Sequence, residues 1–176
     1  VRNLILYSII IIGFLDGTFT LIQPYFKLVG INPNFFGTIY MVSLIGTGIL
    51  GKYAGSIEEK IGNKPSLILI ASIFIGGFIL LSFPIGKFIV VPFLLLEFMY
   101  GFVFPLIEDY INKHISSEKR ATILSIQNFS QKILIALLIP VVGLFMDISI
   151  PYGFLFIAIF GLLTLIYPTS KLIKTS

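Results

Sequence analysis

The sequence has no cysteine and very little charge: Asp, Glu, Lys and Arg together make up 11% of its 176 residues. Without cysteine there is no disulfide framework and no thiol metal site. A soluble domain carries about 25% charged residues. A chain that is 57% hydrophobic, with a mean hydropathy of +1.05, could not cover its own surface with polar side chains. The class that remains is a polytopic membrane protein. No basic patch interleaved with aromatics points to nucleic acid. No zinc motif, Ser-based nucleophile elbow or paired catalytic Asp motif occurs in the apolar stretches. The chain therefore reads as no enzyme, with no metal and no cofactor. Its opening apolar run is too long for a signal peptide, and no small-residue cleavage site follows. The first residue is Val, so the chain reads as a fragment, a processed product or an alternative start.

A helix needs about 20 apolar residues to cross the hydrocarbon core. Six stretches qualify: Asn3 to Gln23, Phe35 to Tyr53, Pro65 to Phe83, Phe88 to Asn112, Arg120 to Met146 and Pro151 to Tyr167. The connectors are short and hold Pro, Gly, Asn and Ser, as turns do. No linker divides the chain. Residues 1–176 read as one all-α unit of six transmembrane helices.

Lys and Arg distribute unequally between the ends of these spans. Arg2, Lys52, Lys60, Lys64, Lys113, Lys119, Arg120, Lys171 and Lys174 fall on one side, Lys27 and Lys87 on the other. The positive-inside rule places the first set, and with it both termini, in the cytoplasm of a cell membrane. An even number of spans is what returns both ends to one side.

The spans differ in character. The third and sixth carry no charged or amide side chain in their apolar runs and read as peripheral, facing lipid over much of their circumference. The first, fourth and fifth carry ionisable or amide residues at depth. This three-plus-three pattern is the arrangement of inverted repeats in transporters. The second span places Ser43, Thr47, Gly51 and Gly55 four residues apart on one face. Small residues at that spacing let helix backbones approach in lipid. The face suits packing inside the bundle or, the sharper expectation, contact with a second bundle.

Three charges lie near mid-membrane. At about 1.5 Å per residue, Asp16 sits roughly 20 Å from the inner side, Glu97 roughly 15 Å from the outer and Lys132 roughly 18 Å from the inner. Charges at such depth are functional candidates by default. Asp16, Thr20 and Gln23 share a face of the first span. Glu97, Gly101, Phe104 and Glu108 share one on the fourth, and Ser125, Asn128 and Lys132 one on the fifth. Lipid would not solvate these faces, so they are expected to line one aqueous cavity. Glu97 and Lys132 are expected either to pair or to face that cavity. Phe36, Tyr40, Tyr100, Phe102 and Phe104 are candidate aromatic walls, with packing as the plainer reading of each. Pro92 and Pro105 are expected to interrupt the fourth span and form a hinge or a polar patch beside Glu97. Glu108 and Asp109 read as interfacial, and His114 as solvated in a basic loop. Ser116 and Ser117 ahead of Glu118 read as the capped start of the fifth helix.

The densest charged island, Gly51 to Pro65, lies between the second and third spans, where Gly55 and Gly62 are expected to bracket a turn. Its pattern Gly55-x-Ile57-x-Glu59-Lys60-x-Gly62-x-Lys64 resembles the loop signature of the major facilitator superfamily, Gly-x-Leu-x-Asp-Arg-x-Gly-Arg-Arg. Glu59 stands where the family has Asp, and Asn63 where it has a basic residue. The series Arg120-Ala121-Thr122, Ser125, Pro140, Gly143 and Asp147 resembles the eleventh helix of the same family. The resemblance implies segments seven to twelve, the C-terminal half of a twelve-helix fold, with the N-terminal six-helix half outside this sequence. It implies a secondary active transporter that moves a small solute by alternating access, with Asp16 or Glu97 as proton carriers. The partners implied are a small-molecule substrate, the lipid bilayer, and either the missing half or a second copy. The alternative reading is a half-size module that does not transport by itself and acts as an assembly partner.

Overall fold

The computed structural model describes residues 2–175, without the side chains of His114, Ser117, Lys174 and Thr175. The solvated reading of His114 and the cap role of Ser117 therefore lie outside the described side chains. Six long apolar helices account for nearly all of the chain: α1 (Arg2–Leu28), α2 (Phe36–Ile61), α3 (Asn63–Leu81), α4 (Val90–His114), α5 (Ser117–Ile148) and α6 (Ile150–Thr175). Single 3-10 turns at Pro33–Phe35 and Gly86–Ile89 lead into α2 and α4.

The helices outrun the apolar stretches that reveal them. The second span reads as ending near Tyr53, yet α2 continues to Ile61. Glu58, Glu59 and Lys60 are good helix formers, so apolar counting finds the span and misses the helix end. The expected loop between α2 and α3 thus shrinks to one residue. Gly62 has φ 88 and ψ 159, a conformation that side chains with a Cβ avoid. Its N–H donates to the Glu58 carbonyl at 2.7 Å, and its carbonyl accepts from the Ser66 N–H and hydroxyl at 3.1 and 2.8 Å. Pro65 occupies the first turn of α3, where no N–H is needed. Gly55 does not bracket the turn. It lies inside α2 with open space beside it.

Two further expectations change. Pro92 falls in the first turn of α4 and does not interrupt it, and the helix runs unbroken through Pro105. Ser116 takes the extended conformation of an N-cap, but its side chain makes no capping bond. Its carbonyl instead accepts from the Lys119 and Arg120 N–H groups.

Packing repeats between the two triplets. α2 packs on α4, and α5 on α1. α3 leans on α4, and α6 on α1. α1 touches α4, and α3 touches α6. Exchanging the first triplet for the second maps this set of contacts onto itself. Each triplet has three alternating spans, so the second runs upside down relative to the first, as an inverted repeat requires. The joint between the triplets is aromatic. Phe14 of α1 meets Phe74 of α3 and Phe160 of α6 at centroid distances of 6.3 and 5.7 Å.

Hydrogen bonds sort the helix ends. At one end Tyr7 donates to the Leu67 carbonyl, Tyr110 to Glu58, and Arg120 to the Asn112 carbonyl. At the other, Tyr25 donates to the Phe83 carbonyl, and Gly30 lies beside Lys87. α3 and α6 flank the bundle, with Ile68, Leu80, Leu163 and Ile166 uncovered, yet each buries an aromatic face through Phe74, Phe78 and Phe154. The widest uncovered faces belong instead to α2 and α5.

Candidate functional site

Asp16 stands at the middle of the 27-residue α1 and Lys132 at the middle of the 32-residue α5. Because α5 packs on α1, the two side chains meet. Lys132 Nζ donates to Asp16 Oδ2 at 2.6 Å. The pair is not sealed: the side chains are 67% and 34% exposed. It sits at the rim of a cleft of about 200 Å³ lined by Leu15, Asp16, Phe19, Leu44, Thr47, Glu97 and Tyr100.

Glu97 enters this cleft from α4. Its residue is only 9% exposed, and its carboxylate has no hydrogen-bond or ion-pair partner among the described residues. The expected bridge from Glu97 to Lys132 is not formed. Lys132 reaches α1 and Asp16 because α5 has little contact with α4. Two carboxylates and one ammonium thus border the cleft.

The opposite wall is built by backbone approach. The Thr47 hydroxyl lies 2.8 Å from the carbonyls of both Ser43 and Glu97 and shares its one proton between them. A Cβ on Gly101 would overlap the backbone of Thr47, and one on Gly51 would lie 3.2 Å from the Gly101 carbonyl oxygen. Ser43 is fully buried. The small face of α2 is therefore turned to α4 of the same bundle at Ser43, Thr47 and Gly51. This corrects the expected contact with a second bundle at those positions, and Gly55 alone remains open.

The other sequence candidates scatter. Thr20, Gln23 and Asn128 are exposed and lie outside the cleft lining. Of the candidate aromatic walls, only Tyr100 lines the cleft, stacked on Phe104 at 6.0 Å. Tyr40 supports it indirectly, with its ring 4.2 Å from that of Phe19 and its hydroxyl donating to the Phe19 carbonyl. Phe36 packs on Phe26, and Phe102 is core. Asp109 pairs with Lys113 one turn on, at 2.5 Å. Glu59 and Lys60 project from the last turn of α2, with Lys64 half-buried in the first turn of α3.

Several residues of the site were not singled out from sequence. Leu15, Phe19 and Leu44 line the cleft as ordinary apolar residues, and nothing in their spacing marks them. Glu58 is buried and accepts from the Tyr110 hydroxyl at 3.0 Å, tying α2 to α4 beside the turn. A carboxylate one position before Glu59 was the available signal. The polar run of α5 has two faces: Gln127 and Gln131 are buried, while Ser125, Asn128 and Lys132 are exposed.

A six-helix bundle of apolar spans, with a charged cleft at mid-helix and an internal inverted repeat, is the architecture of a multi-pass membrane transporter. The profile of the Major Facilitator Superfamily matches residues 5–173. The chain belongs to the major facilitator superfamily, whose members are transporters of small molecules rather than enzymes. Neither the curated proteins nor the solved structures contain a match.

Proposed function

We propose that this chain forms one bundle of a secondary active transporter that moves a small solute by alternating access and couples the movement to protons through Glu97 or Asp16. The observation that carries the reading is the buried Glu97 carboxylate, which has no partner among the described residues, in the cleft beside Asp16. An isolated charge there costs several kcal/mol, on the order of 3 by insertion scales, so a carboxylate without a partner belongs where water or a proton reaches it. Thr20, Gln23, Asn128 and Lys132 continue the polar pathway along α1 and α5.

Six helices cannot rock as two bundles around a central site. The working unit therefore includes a second bundle, either an N-terminal six-helix half or a second copy. It covers the apolar faces of α2 and α5 on either side of the cleft, where Leu44, Ile45, Ile49, Phe129, Ile133 and Leu137 are uncovered. The unit sits in the cell membrane with both ends of this chain in the cytoplasm, which the unequal Lys and Arg distribution supports.

Two experiments test this. For transport, proteoliposomes loaded with a pH dye and holding an outward proton gradient are challenged with sugars, amino acids, carboxylates and organic cations. One class should dissipate the gradient with wild-type protein. Glu97→Gln should abolish this proton flux, and any solute exchange that remains should no longer move protons. Wild-type proton flux in the Glu97→Gln protein contradicts the coupling role. For topology, the absence of native cysteine makes single-cysteine labelling clean. An impermeant reagent should reach Asn32→Cys from outside intact cells and leave Ser56→Cys unlabelled. Labelling of Ser56→Cys from outside reverses the orientation.

A further inference from the structure

The charge and lining of the cleft restrict what it can hold. From α1 comes Asp16, already engaged by Lys132 of α5 at 2.6 Å. That pair is neutral in sum. From α4 comes Glu97, with no partner among the described residues, in a position more than nine-tenths buried. α2 supplies Thr47, whose single proton is committed to backbone carbonyls, so it has none to offer an anion. The remaining walls are aromatic and aliphatic: Phe19, Tyr100, Leu15 and Leu44. Lys132 is paired with Asp16, and among the described residues no other cation lines the cavity. The ionised cleft therefore carries one uncompensated negative charge beside two aromatic rings.

An anionic solute entering such a site meets the Glu97 carboxylate, and the nearest ammonium, Lys132, is already neutralised by Asp16. A sugar or other polyhydroxylic solute finds two carboxylates but few groups to satisfy its many hydroxyls, and burying those unpaired is costly. A cation with an apolar body finds both of its needs met: a carboxylate freed from competition, and ring faces that attract positive charge.

We propose that the cleft binds an organic cation, an amine or quaternary ammonium bearing an apolar or aromatic group. Its charge lies against Glu97 and its apolar body lies between Phe19 and Tyr100. The Asp16–Lys132 pair acts as a neutral flank that keeps Lys132 from occupying Glu97. This substrate class rests on the transport reading above but is tested by binding alone.

The test uses the full chain in lipid nanodiscs and equilibrium dialysis with labelled benzyltrimethylammonium, whose charge cannot titrate. The anionic control is benzylsulfonate. The cation should bind and the anion should not. Glu97→Gln, which keeps the shape and removes the charge, should weaken cation binding by about tenfold or more. Tyr100→Leu should weaken it by about threefold or more. Lys132→Met frees Asp16 and adds one negative charge, so it should tighten cation binding. This last sign holds even where Glu97→Gln fails to fold. Benzylsulfonate binding as well as the cation, no binding of the cation, Glu97→Gln retaining full affinity, or Lys132→Met weakening the cation would each overturn the proposal. A solute of other charge that is transported while benzyltrimethylammonium does not bind removes the cation and leaves the transport reading. A cation that binds but is never moved removes the transport reading and leaves the site.

Discussion

The inverted repeat makes α1–α5 and α2–α4 equivalent helix pairs, yet the chain has packed them to different closeness. α2 and α4 touch backbone to backbone. Gly101 gives up its side chain to the Thr47 carbonyl, Gly51 lies against the Gly101 carbonyl, and the Tyr110–Glu58 bond closes one end. α1 and α5 approach less closely: a Cβ on Gly13 would lie 3.6–3.9 Å from Leu134, Ile135 and the Gln131 carbonyl, and at mid-span the Asp16–Lys132 pair remains open to the cleft. Small-residue packing in lipid is short-range and tolerates no gap. A charge pair at the edge of an aqueous cavity is held weakly and can be exchanged for other partners. One side of the cleft is thus closely packed, and the other is held at mid-span by an exposed ion pair. The asymmetry between equivalent pairs is what a site needs if one wall is to move relative to the other.

The comparison can be broken on its rigid side first. Gly101→Leu places a side chain where the Thr47 backbone stands. A neighbouring backbone cannot yield as a side chain can, so the cost should reach about 3 kcal/mol or more. The expected outcome is loss of folded protein in detergent extraction, and normal yield and melting temperature would show that α2 and α4 are not closely joined. Tyr110→Phe removes the donor to buried Glu58 and should cost about 2 kcal/mol. Thermal unfolding in nanodiscs measures it, and an unchanged midpoint would mean that the bond holds nothing. Gly51→Ala needs the Gly101 carbonyl to give by a few tenths of an ångström and should cost about 1 kcal/mol, read as a small drop in the same midpoint. The open side should respond least. Lys132→Met should cost only about 0.5 kcal/mol, because Asp16 is left facing the cleft rather than lipid. A loss of several kcal/mol there would mean that the α1–α5 contact is dry and structural.

The parts of this arrangement that were legible in the sequence follow one rule. Features that depend on local chemistry were visible, and those that depend on which helix lies beside which were not. Six spans, the all-α class and the family follow from apolar runs and from the pattern around Gly55 to Lys64. The mid-helix positions of Asp16 and Lys132 followed from counting residues. The pairing did not, since Glu97 and Lys132 lie on successive helices in sequence while α5 packs on α1. The small face of α2 was recognised at Ser43, Thr47 and Gly51, but its neighbour was not. Spacing four identifies a helix face that can approach another backbone without naming which. Phe19 stayed hidden because an aromatic lining a cleft and an aromatic in a core look alike in a chain with 18 phenylalanines. Gly62 was read correctly as a turn and Gly55 was not. Only a positive φ separates them, and a sequence does not display it.

The central claim is that water, not lipid, fills the cleft between Asp16 and Glu97, and that its field is negative. The most direct measurement is the rate of thiol modification at Phe19→Cys in this otherwise cysteine-free chain in nanodiscs, compared with Leu163→Cys on the uncovered outer face of α6. Two water-soluble methanethiosulfonate reagents are used, one cationic and one anionic. The account requires Phe19→Cys to react far faster than Leu163→Cys, and faster with the cationic reagent than with the anionic one. A Phe19→Cys thiol as inert as that of Leu163→Cys, or one that prefers the anionic reagent, would contradict it.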